Sequence, residues 1–231
     1  IHGYDIQDDF RWLEPLEAES EEVKAWTDRQ NNRTRSALDA HPSRERVEDR
    51  IEELYRVDSI GLPTVRDELH FNLERRGDAK QASLMRRRGA EGVAETILDP
   101  ATLDNDGLTA IDWFAPDATG KHIAFGLSRA GNEMSILHIL NAETGDWLTE
   151  EIPGKAEFCG WRGSTGFVYG ILTEPNDAYS RVFRHHTIGR HPRHDETLLT
   201  QEKPSRIPDL RLHDGGRWAV AVHFEGWSKQ D

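Results

Sequence analysis

The sequence predicts a mainly β fold, an incomplete β-propeller of about three blades preceded by a charged helical segment. Three observations carry that prediction. Apolar residues follow helical spacing up to about residue 55. Beyond Arg56 they alternate every second position instead, as in half-buried strands. The turn glycines Gly120, Gly166 and Gly216, each just ahead of such a stretch, recur 46 and 50 residues apart.

The elements follow in order. Ser20 suits a helix N-cap and Glu21 and Glu22 favour the positive end of the helix dipole, so a helix is expected over 20–40. Pro42 fits the first turn of a second helix, in which Val47, Ile51, Leu54 and Tyr55 form one apolar stripe among Arg and Glu. So narrow a stripe on so charged a segment calls for a partner surface. Strands are expected at Leu69, Phe71 and Leu73, at Ile123, Phe125 and Leu127, and at Trp218, Val220 and Val222. Phe114, Trp161 and Leu210 stand a few residues before the three repeat glycines, and Asp67-Glu68 marks an earlier, degenerate copy. The expected division is residues 1–55, helical, and residues 56–231, propeller. Propellers close with about four to eight blades, so three and a fraction leave an apolar blade face uncovered.

Composition bounds the function. The 231 residues carry 29 basic and 42 acidic side chains, a net charge of −13, which repels phosphate backbones and anionic lipid. Arg86-Arg87-Arg88 is the one basic run, and it is short, so neither nucleic acid nor a membrane is expected as a partner. No run approaches the roughly 18 apolar residues that span a bilayer. The lone Cys159 can form no internal disulfide or multi-thiolate metal site, and no metal or cofactor is expected. A buried, structural role is expected for it. A cytoplasmic or, less well, periplasmic setting fits this composition.

The opening Ile1-His2-Gly3, then Asp9-Phe10-Arg11-Trp12-Leu13-Glu14, Lys24-Ala25-Trp26 and Gln30-Asn31, resembles the N-terminal signature of the prolyl oligopeptidase family of serine peptidases. Ile97 to Leu103 and His122 to Gly131 resemble further segments of that family, in the same order. The resemblance implies an α/β-hydrolase domain, built from this N-terminal helical segment and a long C-terminal portion, with an inserted seven-bladed propeller over the active site. Residues 56–231 then correspond to its first blades, and the hydrolase domain would be the surface that the helices pack on. The implied activity is hydrolysis of short peptides after proline, with the propeller gating access.

The catalytic machinery of such an enzyme needs a serine on a sharp strand-to-helix turn, a histidine and a carboxylate. Gly126-Leu127-Ser128-Arg129-Ala130-Gly131 and Gly163-Ser164-Thr165-Gly166 are near misses to the nucleophile signature, and both read as blade hairpins. The family's triad lies in its C-terminal part, so no catalytic residue is assigned here and this chain alone is expected to be inactive. His185, His186, His191 and His194 with Asp195 have the residue types of a zinc site, but adjacent strand residues point to opposite faces and His191-Pro192-Arg193-His194 reads as a solvated loop.

By position, the resemblance carries substrate contacts onto Phe158, Ile207 and Trp227, with Phe224 where the family has an arginine. The alternative reading of these three is inter-blade core. The implied partners are short proline-containing peptides and the C-terminal hydrolase domain. A second reading from a different class is a free-standing, non-catalytic propeller that binds peptides or a protein, against which the N-terminal helical signature argues.

Overall fold

A computed structural model describes residues 7–213, 215–225 and 229–230. The chain divides into two compact units, Ile1–Val57 and Asp58–Asp231. This places the boundary two residues beyond the expected one.

In the first unit a 3-10 turn at Arg11–Leu13 leads to α1 (Glu21–Asp39) and α2 (Arg44–Tyr55). The Ser20 hydroxyl accepts the Val23 amide at 3.3 Å, so the expected N-cap is made. Trp12 and Trp26, from two of the signature segments, meet edge to face at 6.1 Å. Pro42 does not open the second helix. It lies in the turn between the two, where the Arg44 amide bonds the His41 carbonyl, and α2 starts one residue past Ser43 because the reversal uses Pro42. Ion pairs between Arg50 and Glu53 and between Arg56 and Glu52 run along α2. Val47, Ile51, Leu54 and Tyr55 are all exposed, and within this unit Val47, Ile51 and Tyr55 share a groove with Leu38.

The second unit is a run of antiparallel meanders. Sheet one contains β1 (Ser59–Ile60), β2 (Thr64–Arg66), β3 (Leu69–Arg75), β4 (Ser83–Arg88) and β5 (Glu95–Leu98). Its first strand is split, since β1 and β2 both pair with β3 on either side of Pro63, which has no amide to donate. Sheet two runs β6 (Thr109–Pro116), β7 (His122–Arg129), β8 (Ile136–Asn141) and β9 (Trp147–Ile152). Sheet three runs β10 (Glu157–Trp161), β11 (Gly166–Leu172), β12 (Arg181–Thr187) and β13 (Glu196–Thr200). A fourth begins with β14 (Arg206–Leu212), β15 (Ala219–Glu225) and β16 (Lys229–Gln230). Three complete blades and the opening strands of another match the architecture the repeat predicts.

Alternation explains how the sheets stack. In β7, Ile123 and Phe125 face sheet one, packing with Phe71, Leu84 and Leu98, while Ala124 between them faces sheet three. In β11, Phe167 and Tyr169 face sheet two and Val168 faces sheet four. Central strands are thus buried on both faces, as a propeller blade requires. Each buried Ile, Val or Phe among them contributes roughly 1.5–3 kcal/mol on burial. Phe114, Trp161 and Leu210 each pack into the seam with the preceding sheet, which is why they recur.

The repeat glycines have a steric cause. Gly120 and Gly216 have φ near +70°, in the hairpins β6–β7 and β14–β15. A Cβ on Gly120 would meet Leu69 Cδ1 of the preceding sheet at 2.9 Å, and one on Gly216 would meet Arg162 Cα at 2.6 Å. The same turn in sheet one is Asp67-Glu68, with Asp67 at φ 49°, so the degenerate copy is structurally the same hairpin.

Candidate functional site

The first strands of successive sheets stand side by side, and their C-terminal ends enclose a cavity of about 410 Å³ lined by Val65, Pro116, Phe158, Trp161, Leu212 and His213, among others. Residues from all four sheets reach it. Phe158 is half-buried on β10. Its ring stacks on Trp113 at 6.0 Å and meets Trp161 at 5.3 Å and Phe167 at 5.7 Å.

A β-bulge sets this geometry. The β10–β11 register shifts between Phe158 and Gly160, so Phe158 and Trp161, three residues apart, both face sheet two. In an unbroken strand they would face opposite ways. Cys159, inside the bulge, faces sheet four instead. A matching shift between Ile111 and Trp113 in β6 places Ile111 and Phe114 together on sheet one's side. Arg211 of β14 locks the bulge, donating to the Phe158 carbonyl at 3.2 Å and pairing with Glu157 at 2.6 Å.

Ile207 lies elsewhere. It sits at the N-terminal end of β14, 41% exposed, paired in register with Phe224. Leu210 faces sheet three, so Ile207, three residues away on a regular strand, faces away from it. Ile207 is not among the residues lining the Phe158 cavity. Trp227 lies outside the described residues. The structure therefore brings Phe158 together with Trp113 and Trp161, and Ile207 together with Phe224.

The two near-miss serine motifs are blade elements. Ser128, next to last in β7, donates to Asp112 at 2.8 Å, and its strand leads into a hairpin and not into a helix. Ser164 lies in the exposed β10–β11 turn. Among the described residues neither has a histidine partner. Cys159 is buried, and burial, with Glu157 nearby, pushes its thiol up to about 12. Its structural role stands.

Arg86, Arg87 and Arg88 are each paired with a carboxylate, Glu95, the buried Glu74 and Glu68 respectively. Arg86 also donates to the Ala142 carbonyl of sheet two. The run is a set of internal ties.

The histidines divide. His191 caps an exposed 3-10 turn, Pro192–His194, that His194 ends, as the loop reading expects. His186 lies on β12, as the strand reading expects, and Asp195 follows the 3-10 turn. His186 is fully buried, with Nδ1 2.9 Å from both carboxylate oxygens of Asp195, and the Tyr169 hydroxyl donates to Asp195 at 2.7 Å. Glu150 of β9 lies 3.6 Å from His186 Nε2. The available sequence signal was the His185-His186 pair itself, since in a strand buried on both faces one member must point inward. Among the described residues no group of three or more His, Cys, Asp or Glu has metal-site geometry.

Comparison with known proteins places this arrangement. Residues 1–230 match the family model for the prolyl oligopeptidase N-terminal β-propeller domain. A prolyl endopeptidase of Elizabethkingia meningoseptica is 26% identical over 94% of this chain, and prolyl oligopeptidase A of Galerina marginata is 24% identical over 98%. These alignments cover 32% and 35% of those relatives, so the chain spans about a third of their length. A structure from a mechanistic study of two prolyl endopeptidases superposes with a TM-score of 0.89 at 29% identity, covering 100% of this chain and 35% of the other. Prolyl oligopeptidase B from Galerina marginata, bound to a 35mer hydrolysis and macrocyclization substrate, shares the fold with a TM-score of 0.79 at 20% identity, over 95% of this chain and 34% of that one. The split helical unit, the stacked four-stranded sheets and the match across 1–230 together make this chain a member of the prolyl oligopeptidase family, in its N-terminal, propeller-bearing region.

Proposed function

We propose that this chain is the substrate-gating portion of a serine oligopeptidase that hydrolyses short peptides on the carboxyl side of proline. The observation that carries the reading is the family match over residues 1–230, joined to coverage of only a third of relatives named as prolyl endopeptidases. The nucleophile, base and orienting carboxylate are assigned to sequence outside this chain, in keeping with the blade settings of Ser128 and Ser164.

The blades exclude folded substrates by surrounding the access route, and the cavity beside Phe158 gives an extended peptide an aromatic surface. Phe158 contacts peptide from sheet three in this proposal. Ile207 and Trp227 contact it from the sheet that follows. The exposed stripe of Val47, Ile51 and Tyr55 takes the C-terminal hydrolase domain as its partner. That stripe favours the peptidase over a free-standing binding module. A cytoplasmic setting is part of the same proposal, tested by cell fractionation.

The test is to incubate the full-length protein with short peptides containing one internal proline and to read the products by mass spectrometry. A single cut after proline, lost on treatment with a serine-directed inhibitor, is the expected result. Cutting after a basic residue, or no cutting, would overturn the assignment.

A further inference from the structure

We propose that Glu150, His186 and Asp195 form a protonation-controlled latch that ties the outermost strand of sheet two to sheet three and loosens when His186 loses its proton. The cluster crosses a blade seam. Glu150 comes from β9 of sheet two, whereas His186 on β12 and Asp195, between β12 and β13, belong to sheet three. All three side chains are sealed from solvent, at 1%, 0% and 3% exposure. Glu150 Oε1 also accepts the Gly189 amide of the β12–β13 connection at 2.6 Å.

The charge count makes the latch conditional. With His186 protonated, one cation lies between two carboxylates. With it neutral, the two buried carboxylates lose the cation between them, which is costly at low dielectric. Nδ1 donates to Asp195, and Nε2 faces the Glu150 carboxylate at 3.6 Å, so a proton on Nε2 sets a positive charge between the two carboxylates. The walls are Phe167 at 5.0 Å and Tyr169 at 6.5 Å between ring centroids.

The other titratable neighbours do not supply the switch. On β11, burial and the Asp195 carboxylate raise Tyr169, so it stays neutral. On β12, His185 lies on the opposite face, depressed by burial and by Arg162, and Arg184 is adjacent to Tyr169. Burial works against the charge on His186, but Glu150 and Asp195 outweigh it and raise its pKa above the usual 6.5. Burial likewise opposes the charge on Glu150, which is nonetheless held below 4.5 by His186 and the Gly189 amide.

The signs then define a window. A raised histidine pKa adds stability that is complete below 6.5 and lost as pH climbs through the folded value. A lowered glutamate pKa adds stability present above 4.5 and lost as pH falls through its own folded value. The seam is held between these limits and released on the alkaline side.

Amide hydrogen exchange of the intact protein, from about pH 6 to about pH 10 and corrected for intrinsic rates, tests this. Peptides spanning 147–152 and 187–196 should lose protection by about tenfold for each unit by which the folded His186 pKa exceeds the unfolded one, while the centre of β7 stays protected. His186→Gln should abolish the step. Asp195→Asn, which keeps the ring and removes one anion, should move the midpoint to lower pH and serves as the deciding variant if His186→Gln does not fold. No step in the wild-type protein, the same step in His186→Gln, or an unmoved midpoint in Asp195→Asn would overturn the latch.

Discussion

The indole Nε1 of Trp161, in sheet three, donates to the main-chain carbonyl of Ala115, in sheet two, at 2.9 Å, across a sequence separation of 46 residues. One side chain therefore both fills the seam between two blades and satisfies a backbone acceptor of the neighbouring first strand. The bulge at Cys159 and Gly160 makes this possible by turning Trp161 to the same side as Phe158.

Trp161→Phe should keep most of the packing and lose the hydrogen bond, lowering stability by about 1 kcal/mol. Trp161→Ala should cost roughly 3–5 kcal/mol, because it also opens a cavity among Phe158, Phe167 and Tyr169. Urea unfolding followed by tryptophan-independent far-UV dichroism measures both. Equal losses for the two variants would show that the ring's volume contributes little.

Gly216→Ala should destabilise more than Gly120→Ala. Both carry the left-handed backbone cost of about 1–2 kcal/mol. At Gly216 the added carbon meets main-chain atoms of Trp161 and Arg162, which cannot yield, whereas at Gly120 it meets first the movable end of Leu69. Thermal unfolding of the two variants gives the order directly.

Cys159 should resist alkylation in the native protein near neutral pH and react fully in denaturant. Its burial and its pKa of about 12 leave almost no thiolate to attack the reagent. Peptide mapping after iodoacetamide treatment reads the outcome at that residue, and ready native labelling would mean that the seam between sheets three and four opens.

Ile51→Glu on α2 should leave the folding of the second unit unchanged, since Ile51 is 59% exposed. In the full-length protein it should weaken packing against the proposed hydrolase domain. Limited proteolysis is the readout, with faster cleavage near residues 1–57 expected in the variant.

The blade plan was readable in the sequence because it has local causes. Gly120 and Gly216 need positive φ, strands buried on both faces need alternation, and Phe114, Trp161 and Leu210 occupy one structural position in successive blades. The helix cap at Ser20 is equally local. The site was less legible. Phe158 reaches its aromatic neighbours through a bulge, and a one-residue bulge reverses the facing of every residue after it while leaving composition and spacing untouched. The Glu150–His186–Asp195 cluster joins residues 36 and 9 positions apart on two sheets, and only stacking brings them together. The start of α2 depended on how the chain reverses at Pro42, which propensity alone leaves open.

The most direct measurement of the proposed division between gate and chemistry is to label the full-length protein with a fluorophosphonate probe for activated serines and locate the adduct by peptide mapping. The proposed reading expects a single modified serine outside residues 1–231 and loss of proline-specific cleavage in step with labelling. An adduct on Ser128 or Ser164 would contradict it.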